Sequence, residues 1–329
     1  MQSMGWESVS MSDIKQHYLN RYADEDFIKE YMEYLNNPNE ECPYADIDSV
    51  RSKDVVFYKD LAEFLIKSLD SKYKFEEPNK NNYPSAIKFQ DPNSPSDNSD
   101  DKYIYLTSDQ FGFSVPRVGS NKYKTSVAWN GESSYPYARY LFENLENNKE
   151  DRRFVAECIY ETRTIGGSFI WPKVKIGRAY QSMYNLHRGI KGYIEDRVDI
   201  TLYEVNCFYD VYSHLKKKNY EHFINEYEKK YSKNILFRNQ CKKERKAIYR
   251  WLSIFETFKG YVEKLKFECF VIDRDGEYLI RDMASEKISP LDITELKSIR
   301  KMNHDELHTL LKNVKESTEK RSKEIEKML

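Results

Sequence analysis

Glycine is scarce in this 329-residue chain, at 11 residues, and neither glycine-rich phosphate motif occurs. Without G-x-x-x-x-G-K-[ST] or G-x-G-x-x-G, a P-loop and a Rossmann site are excluded. The G-x-S-x-G elbow of serine hydrolases is missing as well. Cysteine is sparse and odd in number: Cys42, Cys158, Cys207, Cys241 and Cys269, widely spaced, with no C-x-x-C pair. That argues against a disulfide framework and a structural zinc site, and for reduced, mostly buried thiols. No apolar run reaches bilayer-spanning length, and Met1 to Asn20 is polar throughout, unlike a signal peptide. Together these absences predict a soluble cytoplasmic protein with no membrane partner.

What is present suits a folded protein. Hydrophobic residues make up 40% and aromatics 15% of the chain, with 33% charged and a formal net charge of -1. The balance hides an asymmetry: residues 1–150 sum to about −9 and residues 151–329 to about +8. The basic half is either a nucleic-acid surface or the complement of the acidic half. The sequence reads as an acidic, helical N-terminal part (1–150) and a basic part (151–329), separate or continuous.

Periodicity predicts helices over 12–36, 49–71, 135–147, 178–190, 196–215, 219–231, 240–266, 291–301 and 304–328, the last charged and exposed. Residues 77–101, with four prolines and many Asn, Ser and Asp, read as a long mobile loop. Residues 103–107 and 111–116 read as a hairpin, 154–160 as a buried strand, and 168–174 as a strand resuming after Gly166-Gly167. Asp275-Gly276 signals a tight turn between 270–272 and 278–280. The predicted class is α+β, helix-rich, with a small, mostly antiparallel sheet.

Five of the 11 glycines fall between Gly166 and Gly192, in the company of Arg163, Asn185, His187, Arg188 and Arg197. Glycine lets backbone amides approach a ligand, and arginine forks recognise phosphate. Thr164, Gly166, Gly167, Asn185 and Arg188 are therefore candidates for binding a phosphate or nucleotide, against the plainer reading of a bulged strand and ordinary turns. Over 195–204, either Arg197 or Asp199 joins a site, or Asp196 caps the helix and Arg197 forms a buried pair, with Thr201 or Glu204 as its partner at helical spacing. Residues 238–250 hold six cations. Within that run Lys242, Lys243, Arg245, Lys246 and Arg250 are candidates for contacting nucleic acid, against a solvated helix face. His304 and His308 sit i, i+4, but H-D-E-L-H is not H-E-x-x-H, so no metal site is predicted.

The run from Thr162 to Pro172 (TRTIGGSFIWP) and the segment 182–208 resemble a family of uncharacterised bacterial proteins, DUF6994. An R-T-I-G-G block corresponds to Arg163 onward. An S-I-N-x-x-R-G block falls on Ser182, Asn185, Arg188 and Gly189, and an I-x-D-R-x-D-x-T-L-E block on Ile194, Asp196, Arg197, Asp199, Thr201 and Leu202. The chain departs from the pattern at Tyr203-Glu204, where the family tends to place Glu first. The resemblance implies no activity.

The functional expectation is an effector of the toxin or phage-defence type acting on nucleic acid. ADP-ribosyl transfer would use NAD, with Arg163 on the dinucleotide phosphates and Glu204 or Glu268 near the ribose. A metal-independent ribonuclease would use His187 as acid or base, with Arg188 and Arg197 stabilising phosphate charge. The alternative is a non-catalytic nucleotide- or partner-binding regulatory protein, such as an antitoxin.

Overall fold

A computed structural model describes residues 55–76, 87–92, 102–110, 154, 157–158, 161, 164–176, 179–182, 197–231, 242–297 and 302–329. Expectations for 12–36, 111–116 and 135–147 lie outside these residues, as do Arg163, Asn185, His187 and Arg188.

Five strands form an antiparallel sheet in sequential order: β1 (Lys74–Glu76), β2 (Ile87–Gln90), β3 (Tyr103–Gln110), β4 (Ser168–Ile176) and β5 (Ala179–Ser182). Ile87 and Phe89 pair with Leu106 and Ile104, and all four are buried, so alternation places one face of the sheet in the core. The strand β2 occupies the region read as a loop. Its few residues between Pro84 and Pro92 are too short a run to register beside so many breakers. On its far side β3 pairs with β4, from Tyr105↔Lys173 to Gln110↔Ser168. The two oppositely charged halves of the chain thus share one sheet. Pro172 pairs with Leu106, while β5 begins its pairing only at Lys173↔Ser182, so no ladder bond on that side needs the missing proline N–H.

Helices pack around the sheet. They are α1 (Val55–Ser68), α2 (Val198–Tyr212), α3 (Tyr220–Tyr231), α4 (Lys242–Ser253), α5 (Phe258–Lys264) and α6 (His304–Glu326). A second sheet is the hairpin of β6 (Val271–Arg274) and β7 (Glu277–Ile280). Asp275 and Gly276 both have positive φ, 55° and 87°, which is what a tight hairpin turn requires. The architecture is α+β, as predicted.

Aromatic rings knit the core. Trp251 of α4 meets Phe89 of the sheet edge-on at 6.2 Å, and Phe208 of α2 lies 4.7 Å from Phe223 of α3. Tyr209, Tyr227 and Tyr261 are fully buried, and the Tyr209 hydroxyl donates to the Leu252 carbonyl at 2.8 Å. Among the described residues Tyr73, Tyr212 and Tyr249 are buried as well.

Several expectations are corrected. Phe154, Glu157, Cys158 and Glu161 are helical, not extended. Their i, i+4, i+7 spacing lays Phe154 on the His308 ring at 4.2 Å and Cys158 against the Leu311 carbonyl. Residues 179–182 are strand β5, not helix. The predicted helix 240–266 is two helices, broken where Glu256 takes a φ of 63° and Thr257 caps α5 by accepting the Gly260 N–H at 3.0 Å. Residues 291–297 are non-helical. Last, α6 is not an exposed helix. It starts with a capping box between Asn303 and Glu306 and buries Leu307, Leu310, Leu311, Val314 and Ile325, along with Arg321. Most of its charges are on the outer face, and Arg321, Ser317 and Asn313 on the inner face bind backbone.

Candidate functional site

The glycine pair sits in a 3-10 turn, Ile165–Gly167, that feeds β4, and what approaches it closely is α6. A Cβ on Gly166 would stand 2.4 Å from Ser322 Oγ and 2.4 Å from the Thr318 carbonyl oxygen. Ser322 Oγ accepts the Gly166 N–H at 3.1 Å and lies 2.8 Å from Thr164 Oγ1. Arg321, 1% exposed, donates to the carbonyls of Gly166, Ser168 and Leu265 and rests 3.9 Å from the centre of the Phe267 ring. Burial pushes its guanidinium down to about 10. The backbone groups of Gly166 read as phosphate-binding are therefore occupied from within, by Ser322 and Arg321.

A second buried network forms where α2 begins. Arg197 donates through Nε to Asp199 Oδ1 at 3.0 Å and through Nη2 to Oδ2 at 2.6 Å, and Nη2 also reaches Asp282 at 3.3 Å. The Asp199 carboxylate further accepts the N–H groups of Ile200 and Met283. Arg197 and Asp199 are 1% and 0% exposed. This is the ion-pair part of the structural alternative, tying α2 to the segment after β7; the cap read on Asp196 lies outside the described residues, and Arg197 at the N-cap position makes no side-chain cap bond. The fork of Arg197, read from the sequence as a catalytic candidate, is engaged by carboxylates inside the fold. Glu204 is 0% exposed as well. Glu268 opens the 3-10 turn Glu268–Phe270, where burial raises its carboxyl above the ordinary range.

The basic helix α4 is largely neutralised. Arg245 pairs with Glu228 at 2.9 Å, Lys242 with Glu221 at 3.8 Å, and Arg250 with the buried Asp91 at 2.9 Å. Lys243 and Lys246 are exposed. Among the described residues no group of three or more His, Cys, Asp or Glu is placed to hold a metal, and no helix is long and apolar enough to cross a membrane.

Among the described residues an open cleft lies along α2, and the sequence reading missed it. Most of α2 is buried, but Tyr203, Asn206 and Asp210, continued by Ser213 and His214, follow helical spacing along a stripe that is only partly covered. This stripe floors a cleft of about 500 Å³, walled by Lys230 and Tyr231 at the end of α3, Phe258 at the start of α5 and Glu277 at the start of β7. At its centre Asp210 Oδ2 takes the Lys230 ammonium at 2.5 Å and the Tyr231 hydroxyl. Burial pushes the Asp210 carboxyl up, but the hydrogen bonds from Lys230 and Tyr231 outweigh it and hold the group below its usual range. Burial and the neighbouring Asp210 raise the Tyr231 phenol, while burial and Cys207 raise that of Tyr203, so both stay neutral. The available signal was a polar residue every turn on an otherwise apolar helix.

Residues 96–237 match the model of DUF6994, a family of unknown function. The DUF6994 segment contains β3, β4, β5, α2 and α3, so it supplies the cleft from Tyr203 to Tyr231, while Phe258 and Glu277 come from beyond it. No curated protein and no solved structure matches the chain.

Proposed function

We propose that this is a non-catalytic binding protein of the regulatory kind, whose ligand occupies the cleft along α2. The observation that carries the reading is the contrast between that cleft and the other charged clusters. Arg197, Asp199 and Glu204 have almost no exposed surface, and the Gly166 backbone is bound by Arg321 and Ser322. Ribosyl transfer needs a carboxylate that reaches a ribose; Glu204 is fully buried, and the exposed Glu268 faces Lys266 at 4.0 Å. A phosphate track along α4 would compete with Glu221, Glu228 and Asp91 for its cations. The cleft, by contrast, is open, and sets Tyr203, Tyr231 and Phe258 beside the polar groups of Asp210, Lys230 and Glu277, where a ligand can reach them.

The test is direct. Purified protein incubated with NAD and total RNA is expected to leave both intact, and its induced expression to leave bacterial growth unchanged. Consumption of NAD, cleavage of RNA or growth arrest would return the effector reading to first place.

A further inference from the structure

We infer that the ligand of this cleft is a small organic cation, an amine or guanidine, whose charged head docks on Asp210 in the place now held by Lys230. The inference rests on the binding reading above and names its ligand class. Asp210 is 34% exposed on its side chain, and Oδ2 already accepts two donors. Among the described residues Oδ1 accepts no hydrogen bond, so the carboxylate has room for a further donor. The Lys230 ammonium lies 2.5 Å from Oδ2 and 5.6 Å from the centre of the Tyr231 ring. A carboxylate beside an aromatic face is the environment that ammonium and guanidinium groups select. Lys230 thus marks the position of a cation as a tethered stand-in.

Displacement of that stand-in is easy. Lys230 is 56% exposed at the end of α3, on a flexible stem, and such a surface ion pair is weak and open to exchange. When Lys230 swings out, Asp210 and Glu277 leave the cleft acidic, which favours an incoming cation and opposes a phosphate. Tyr203, Tyr231 and Phe258 then pack the aliphatic part of the ligand.

Isothermal titration with agmatine and spermidine, against 1,5-pentanediol and adenosine monophosphate as neutral and anionic probes, tests the assignment. Saturable one-to-one binding of agmatine or spermidine, with neither control bound, is expected. Asp210→Asn weakens it at least tenfold. Lys230→Gln tightens it several-fold, whereas Lys229→Gln, which removes the same charge one residue away, leaves it unchanged. Circular dichroism of each variant confirms the fold. Failure of both amines to bind overturns the inference, as does amine binding indifferent to Asp210→Asn. Binding of adenosine monophosphate instead would overturn the ligand class and keep the binding reading, whereas turnover of NAD or RNA would remove the reading itself.

Discussion

Arg321 donates from Nη1 to the carbonyl of Gly166 at 2.6 Å, across 155 residues of chain, and so fixes the start of β4 to the last helix. Replacement by methionine leaves the buried carbonyls of Gly166, Ser168 and Leu265 without this donor. Hydrogen bonds to a charged group contribute about 1.5–3 kcal/mol each, so Arg321→Met is expected to lower stability by about 3 kcal/mol or more. Arg321→Lys, which keeps the charge but loses the fork, falls between it and the wild type. Urea denaturation measures both, and wild-type stability in Arg321→Met would refute the lock.

Gly166→Ala places a methyl 2.4 Å from a side-chain oxygen and from a backbone oxygen. Overpacking of this kind costs about 1–3 kcal/mol. Adding Ser322→Ala relieves the first contact and not the Thr318 carbonyl, so the double variant recovers only part of the loss. Full recovery in a double-mutant cycle would place the strain elsewhere.

Asp199→Asn breaks a buried pair, while Arg197 keeps Asp282 at 3.3 Å and the Lys297 carbonyl at 3.4 Å. Loss of one member of a buried pair costs about 3–5 kcal/mol. Amide exchange is the sharper readout. The N–H groups of Ile200 and Met283, both bonded to Asp199, are expected to lose protection first.

Acid should act on the cleft through Asp210. Its folded-state carboxyl titrates below the ordinary value, so its contribution to stability is complete above the unfolded pKa and is lost as pH falls through the folded one. Melting curves of the wild type and Asp210→Asn should therefore lie apart near neutral pH and converge in acid, below about pH 4. Agmatine affinity should fall over the same range. Curves that stay parallel down to about pH 3 would mean that Asp210 titrates like a free carboxylate.

Local signals were readable where one stretch of chain settles the outcome. The Asp275-Gly276 turn, the start of α2 and the α3 helix declare themselves through turn chemistry and spacing. The run 154–161 did not, because a short apolar stretch suits a buried strand or a helix equally until its partner is known, and the partner, Leu311 of α6, lies 153 residues away. Gly166-Gly167 announced a close approach but not what approaches, since Ser322 and Arg321 are equally remote. A buried ion pair of Arg197 was legible, but its partner was not: helical spacing points to Thr201 or Glu204, whereas the fork takes Asp199 and Asp282, the latter 85 residues away. The cleft was hardest of all. Its walls come from three helices and a strand, and an isolated Asp210 looks like any surface carboxylate.

The clamp of α6 on the glycine turn has a consequence for synthesis. At about 5–20 residues per second, the 155 residues between Gly166 and Arg321 take roughly 8–30 s to emerge from a ribosome. For that interval Phe169, Ile170 and Trp171 lead a central strand whose first turn has nothing to hold it. The nascent protein thus carries these apolar side chains exposed until α6 emerges to cover the turn that starts their strand.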